Sequence, residues 1–158
     1  MPKHPLAHIV FEVTSDCNLD CRYCYNIWKR PGASDPHLNS YKQAKKTLKQ
    51  LFSIADVQHI SMSGGEPLLA ARFSELVLMC RLKRKTITVI SNGVHKRQEL
   101  YGQLIDLGVG LFELPLHSTN PDIHDTITRK PGSHEKVLRN IRYLLERGAN
   151  TVGVVVVT

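Results

Sequence analysis

SDCNLDCRYCYN, residues Ser15–Asn26, places three of the chain's four cysteines within a span of eight residues. Disulfides need pairs of cysteines, and this cluster holds an odd number. Thiolates are also the ligands of zinc and of iron–sulfur clusters. The spacing C-x3-C-x2-C of Cys17, Cys21 and Cys24 therefore predicts a metal centre with three protein ligands and one unfilled coordination position.

Two kinds of metal centre fit three clustered thiolates. A structural zinc site takes four ligands, so the fourth would have to come from His4, His8 or Cys80. Cys80 lies in the apolar segment ELVLMCRL, where free cysteines are usually buried. A [4Fe–4S] cluster held by three cysteines instead leaves one iron open for a small molecule. The cluster is the favoured interpretation, and zinc stays open as the alternative.

Strand-like and helical patterns alternate outward from the cysteines. The sequence predicts strands at 8–14, 59–63, 86–91, 110–117 and 151–157, and helices at 40–54, 70–82, 96–108 and 133–148. Ser40 is a plausible N-cap, and Gly108 and Gly148 close two of the helices. This alternation predicts an α/β fold with a parallel sheet. Five strands, of which no helix covers the last, predict an incomplete barrel: either a fragment or one half that another segment completes.

Polar and glycine-rich motifs follow four consecutive predicted strands. The cysteine loop follows the first, GGEP at 64–67 the second, SNG at 91–93 the third and HSTN at 117–120 the fourth. Each motif alone is typical of a turn or a helix cap. In a parallel α/β sheet, however, all four lie on the carboxyl-terminal rim, where such folds place their sites. The positions together predict one functional site.

Composition narrows the class of protein. The chain has 158 residues, of which 42% are hydrophobic and 22% charged, which fits a single globular domain spanning 1–158. The net charge of +7 is spread along the chain without interleaved aromatic residues, which argues against nucleic-acid binding. No apolar run approaches the ~20 residues of a membrane helix, and no signal peptide is evident. We therefore expect a cytoplasmic protein.

The motifs resemble those of a known family. Cys17, Cys21 and Cys24 with Tyr23 before the last cysteine, then GGEP, then SNG, are similar to the radical S-adenosylmethionine (radical SAM) superfamily. The resemblance extends from about residue 8 to the end of the chain. It implies a (β/α)6 partial TIM-like barrel, of which we expect this domain to lack the last strand–helix unit and any C-terminal extension.

The resemblance also implies an activity. Family members are enzymes in which three cysteines hold a [4Fe–4S] cluster and SAM chelates the fourth iron. One-electron reduction cleaves SAM to methionine and a 5′-deoxyadenosyl radical, which abstracts hydrogen from a substrate. The reductant would be a protein such as flavodoxin or ferredoxin. No residue is predicted to be catalytic, because the cofactors carry the chemistry.

Residue roles follow from the same resemblance. It implies contacts between SAM and a set of residues outside the cysteines, namely Tyr23 near the adenine, Gly64, Gly65, Glu66 and Pro67 at the ammonium, Ser91 and Asn92 or Ser118 at the ribose, and Arg129 at the carboxylate. The backbone from Val155 to Val157 would border the adenine. The pattern is most similar to the SPASM or Twitch branch, whose members often modify peptides or proteins, so the substrate is a peptide, a protein or a small molecule.

The sequence leaves the contacts of four residues, and several alternative functions, undecided. Glu12 and Glu113 interrupt apolar strands, and each faces either solvent or the barrel interior. His117 and His124 are ambiguous between loop contacts and ligand contacts. The alternatives to a radical SAM enzyme are a non-catalytic iron–sulfur electron carrier, a zinc-stabilised binding module, and a truncated chain that binds a cluster but is inactive.

Overall fold

The protein forms one parallel sheet of five strands in the order β1-β2-β3-β4-β5. A computed structural model describes residues 4–25 and 40–156. The strands are β1 (His4–Thr14), β2 (Ala55–Gly64), β3 (Thr86–Ile90), β4 (Leu111–Pro115) and β5 (Thr151–Val154), and the helices are α1 (Tyr41–Ile54), α2 (Phe73–Leu82), α3 (Gln98–Asp106), α4 (Pro121–Thr128) and α5 (Ser133–Glu146). This order is the predicted α/β fold of a partial TIM-like barrel.

The core lies between the sheet and the helices. Ile60 and Met62 of β2, Val89 of β3 and Phe112 of β4 are fully buried together with Leu48 of α1. Alternate residues of the same strands point to the other face of the sheet, where His59, Thr88 and Glu113 form a more polar surface. The helices therefore cover one face, and the opposite, concave face is left for a site.

Several predicted element boundaries were wrong. β1 begins at His4 and β2 at Ala55, four residues earlier than predicted in each case, because the two strands pair from their first residues. β4 ends at Pro115 and β5 at Val154, while residue 157 of the predicted fifth strand lies outside the described residues. Pairing with a neighbour, which the local pattern does not report, sets these ends.

The helical predictions needed two further corrections. α4 was missed, although Asn120 caps it and Pro121 begins it, because eight residues carry little periodicity. α5 begins at the predicted Ser133 and follows Gly132, which has φ +73°, but it ends at Glu146, two residues earlier than predicted. Ser40 caps α1 as predicted, accepting a hydrogen bond from the Gln43 N–H. Within the described part of the chain, no helix has the length and apolarity to span a bilayer.

Candidate functional site

The three clustered cysteines lie in the loop that leaves the end of β1. Their side chains are half-buried, and Cys24 N–H donates to the Cys21 carbonyl at 3.1 Å, which closes a turn. Leu19, between the first two cysteines, is buried against Val94 and Val137. This apolar anchor folds the loop back onto the rim of the sheet, so that all three thiols line one cavity.

The glycines of GGEP bring the end of β2 against the backbone that enters the cysteine loop. Gly65 N–H donates to the Thr14 carbonyl and Glu66 N–H to the Asp16 carbonyl, both at 2.7 Å. A Cβ on Gly64 would lie 2.3 Å from the Thr14 oxygen, and one on Gly65 would lie 2.2 Å from the Asp16 oxygen. Gly64 also adopts φ +128°, which L-residues with side chains avoid. Only glycine allows this approach.

Glu66 is fully buried beneath the rim. Its carboxylate accepts hydrogen bonds from Ser91 Oγ at 2.9 Å, from Leu68 N–H at 3.1 Å and from Asn92 N–H at 2.6 Å. Neither Glu66 nor Pro67 lines the cysteine cavity in the described structure. The Glu66 side chain ties GGEP to SNG, and a contact between Glu66 and the SAM ammonium stays a prediction.

The cavity has a volume of about 220 Å³. It brings together eight of the residues predicted for the site: Cys17, Cys21, Cys24, Tyr23, Gly64, Gly65, Ser91 and Asn92. Val154 and Val156 form an apolar wall beside them, whereas Val157 lies outside the described residues. Four rim segments that are distant in sequence therefore meet at one concave surface.

Besides Glu66 and Pro67, two further predicted site residues, Ser118 and Arg129, do not line this cavity in the structure. Ser118 Oγ accepts a hydrogen bond from Asn120 N–H at 3.0 Å, just before α4. Arg129 ends α4 with φ +53°, and its exposed guanidinium forms an ion pair with Asp20 at 2.9 Å. Their expected roles at the ribose and the carboxylate are therefore not supported by this arrangement.

The structure adds cavity residues that sequence analysis did not assign. Glu113 lines the cavity from β4, whereas Glu12 accepts a hydrogen bond from the Tyr25 hydroxyl at 3.0 Å. Ser63 and His117 also line it. In the sequence, the sign of these positions was a polar residue near the end of an otherwise apolar strand. Strand pairing was needed to show which face of the sheet each polar residue occupies.

Tyr23 and His117 form a polar pair at the edge of the cavity. The Tyr23 hydroxyl is 2.8 Å from His117 Nε2, and His117 Nδ1 accepts from Val156 N–H at 3.3 Å. Burial lowers the pKa of His117, which favours the neutral ring. Because Nδ1 accepts from Val156 N–H, the ring proton lies on Nε2 and is donated to the Tyr23 hydroxyl oxygen. Burial and then the neighbouring Cys21 raise the pKa of Tyr23, which keeps its hydroxyl protonated beside the thiols.

Two buried side chains support the SNG loop from below. Asn140 of α5 donates through Nδ2 to the Gly93 carbonyl at 2.8 Å and to the His95 carbonyl at 2.9 Å. The hydroxyl of Tyr101 lies 3.2 Å from Ser91 Oγ. Neither residue was predicted from the sequence to belong to the site. A polar asparagine inside a helix is a signal for a role of this kind, because asparagine disfavours helix interiors.

The donor set fits an iron–sulfur cluster better than a single zinc ion. Within residues 4–25 and 40–156, no three histidine, cysteine or acidic side chains converge on one ion. The candidate fourth zinc ligands lie elsewhere: His4 is the first residue of β1, at the opposite end of that strand from the cysteine loop, His8 bonds Ser61 Oγ, and Cys80 is fully buried in the core. Burial raises the pKa of Cys80 to about 12, so it is a protonated core residue. Three thiols around an open cavity suit the larger cluster.

Comparison with known proteins agrees with this donor set. Residues 11–158 match the sequence model of the Radical SAM superfamily. The chain is 31% identical over 147 residues to the antilisterial bacteriocin subtilosin biosynthesis protein AlbA of Bacillus subtilis, covering 89% of this chain and 31% of that protein. It is 29% identical over 150 residues to the mitochondrial GTP 3′,8-cyclase of Arabidopsis thaliana, covering 94% of this chain and 38% of that protein.

Solved structures show the same fold. Streptococcus suis SuiB bound to the precursor peptide SuiA superposes with a TM-score of 0.78 at 18% identity, covering 99% of this chain and 34% of SuiB. BtrN in complex with AdoMet and 2-DOIA superposes with a TM-score of 0.55 at 26% identity, covering 96% of this chain and 57% of BtrN. The chain thus spans less than two thirds of these proteins. It belongs to the radical SAM superfamily, a family of enzymes that bind a [4Fe–4S] cluster and S-adenosylmethionine.

Proposed function

We propose that this chain forms the core domain, residues 1–158, of a radical SAM enzyme, with Cys17, Cys21 and Cys24 as the cluster ligands. The observation that carries the proposal is the single cavity that these three thiols share with the GGEP glycines and with Ser91 and Asn92. A non-catalytic electron carrier needs no ligand cavity beside its cluster. Together, the bound cofactors supply reductive cleavage of SAM and a 5′-deoxyadenosyl radical for hydrogen abstraction.

The protein's own residues bind and orient SAM in this proposal. Gly64 and Gly65 line the cavity without side chains, so their carbonyl oxygens would be the groups that accept hydrogen bonds from the ammonium group. Ser91 and Asn92 line the cavity and would contact the ribose, and Tyr23 would offer a flat face to the adenine. Val154 and Val156 exclude water from the opposite side of the cavity.

Arg129 and Ser118 enter the site only if their present contacts change. Arg129 would have to leave Asp20 to reach the SAM carboxylate, and this exposed ion pair is weak enough to exchange. Ser118 would have to turn away from Asn120 N–H. We propose them as secondary contacts that form with SAM present.

We propose a peptide or protein as the first substrate class to test. We also propose that the enzyme acts in the cytoplasm. The support is the relative named for the biosynthesis of a bacteriocin. The relative named GTP 3′,8-cyclase makes a small-molecule substrate the second candidate. Glu113, Ser63 and His117 provide the polar groups with which the cavity would position either substrate.

The decisive experiment is anaerobic reconstitution with iron and sulfide, reduction with SAM present, and an assay for 5′-deoxyadenosine. We expect the nucleoside from the wild type and none from a Cys21→Ala variant. Cys80→Ala is the matched control, because it removes the fourth thiol from the core and leaves the cavity unchanged.

Other outcomes would contradict the proposal. Zinc bound without iron or sulfide would identify a zinc-stabilised module. A stable cluster that never cleaves SAM would identify an electron carrier or an inactive chain.

A further inference from the structure

A second, basic groove lies on the outer side of the cysteine loop. It has a volume of about 420 Å³ and is lined by Asn18, Leu69, Val94, His95, Lys96, Arg97, Lys130 and Lys136. None of these residues lines the cysteine cavity. The groove is therefore a separate surface that the proposed binding of SAM does not use.

The groove carries a positive charge that no ion pair among the described residues neutralises. Four of its lining residues are cationic, no acidic residue lines it, and none of the four cations takes part in an ion pair within the described structure. By contrast, Arg129, adjacent in sequence to Lys130, is paired with Asp20. An uncompensated cluster of cations attracts acidic partners and speeds their association.

The groove also contains the apolar surface that a protein interface needs. Leu69 is 42% exposed within it, and Val94 forms part of its floor. A central apolar contact surrounded by charged groups is the usual anatomy of a protein–protein interface. The lining contains no Phe, Tyr or Trp side chain on which a nucleic-acid base would stack, and the ring of His95, its one histidine, is buried. These features favour a protein partner over a nucleic acid.

A short hydrogen-bonded path connects the groove to the cysteine site. Asn18 lines the groove and is the residue after Cys17. Asn92, which lines the cysteine cavity, donates through Nδ2 to Asn18 Oδ1 at 2.7 Å and lies 3.6 Å from Cys17 Sγ. A partner seated in the groove would approach Cys17 within the width of one side chain while leaving the SAM cavity open.

We propose that this groove is the docking surface for an acidic one-electron carrier protein. The proposal rests on the function proposed above, because it requires a cluster on Cys17, Cys21 and Cys24. A reduced flavin or iron–sulfur carrier is oxidised by one electron, and the cluster is reduced by that electron. No proton or atom is transferred between the two proteins. Proximity to Cys17 and separation from the SAM cavity favour this occupant over an acidic peptide substrate.

The test compares two triple variants of the cluster-loaded protein. The first neutralises the groove with Lys96→Gln, Arg97→Gln and Lys130→Gln. The control, Lys42→Gln, Lys46→Gln and Lys49→Gln, removes the same charge from exposed positions of α1 outside the groove. Two quantities are measured: the affinity for oxidised flavodoxin, and the rate of cluster bleaching by reduced flavodoxin without SAM. Dithionite, which is too small to need docking, reports whether each cluster is intact and reducible.

At low salt, we expect the groove variant to bind oxidised flavodoxin about tenfold more weakly than the wild type. Reduced flavodoxin should also reduce its cluster about tenfold more slowly, and both differences should shrink as the salt concentration rises. The α1 control should match the wild type, and dithionite should reduce all three proteins equally. Equal flavodoxin rates in all three proteins would overturn the groove proposal but leave the proposed function intact. The groove proposal would also be overturned if flavodoxin reduced all three proteins equally while the groove variant alone bound a glutamate-rich peptide more weakly. That result would indicate a peptide-binding groove. Failure of all three to take up a cluster would overturn both proposals.

Discussion

The carboxylate of Glu66 accepts a hydrogen bond of 2.6 Å from the backbone N–H of Asn92. The two residues follow neighbouring strands, β2 and β3, and this contact fixes the relative position of the GGEP and SNG motifs. Because Asn92 also bonds Asn18 in the cysteine loop, one buried carboxylate influences three segments of the rim. Four predictions test this arrangement and the groups around it.

Glu66→Gln should destabilise the protein. Three donors point at the Glu66 carboxylate, and an amide would turn an N–H group toward at least one of them. We expect the free energy of unfolding to fall by about 1–3 kcal/mol, together with weaker SAM binding. Urea unfolding and SAM titration measure the two effects. Glu75→Gln, at an exposed ion pair with Arg72, is the control, and an equal loss there would show that the buried network is unimportant.

Gly65→Ala should disrupt the junction between β2 and the cysteine loop. The new Cβ would lie 2.2 Å from one backbone oxygen and 2.5 Å from another, and backbone atoms cannot move aside cheaply. We expect a loss of about 3 kcal/mol or more in stability and less iron bound after reconstitution. Gly153→Ala has no neighbouring atom within 4 Å and should change neither quantity. Normal iron binding by the Gly65 variant would contradict the close approach.

Asn140→Asp should loosen the SNG loop. Asn140 Nδ2 donates to two carbonyl oxygens, and a carboxylate in its place would face both of them as an acceptor. We expect the free energy of unfolding to fall by about 2–4 kcal/mol. Asn150→Asp also removes a bond from an amide to a carbonyl, but at an exposed position, and should cost much less. Similar losses in the two variants would argue against a special role for Asn140.

Stability should fall as the pH decreases from about 6.5 to about 4. Burial, followed by the nearby His117 and His134, lowers the pKa of His124 from 6.5 to about 4, while Asp125 opposes this shift. Between these pH values the unfolded chain binds a proton that the folded protein excludes, so acid favours unfolding. We expect His124 to contribute about 2 kcal/mol of this loss. Urea unfolding at pH 7 and pH 4.5 measures it.

His124→Asn should weaken this pH dependence, since an amide does not titrate and its oxygen can still accept from His117 N–H. Substitution of the exposed His4 by asparagine should leave the pH dependence intact. An unchanged pH profile in the His124 variant would assign the effect to other groups.

Much of the fold and part of the site could be predicted from local patterns. The strand–helix alternation predicted the five strands and four of the five helices that the described residues form. The parallel direction of the strands predicted that the cysteines, GGEP and SNG would lie on the same rim. α4 was missed because it has only eight residues, and the strand ends were misplaced because partners decide where pairing stops. The local pattern contains no information about those partners.

The sequence by itself determined the order of the elements and the cysteine spacing, because these follow from periodicity and ligand chemistry. The need for glycine at 64 and 65 comes from their close approach to the Thr14 and Asp16 oxygens, which is a tertiary contact. Only the tertiary structure decided that Glu66 supports the rim from below, that Glu113 lines the cavity, that Arg129 is paired with Asp20, and that Lys96 and Lys130 share a groove. These relations join residues far apart in the chain. Their geometry exists only after packing between the helices and the sheet has fixed which side chains meet.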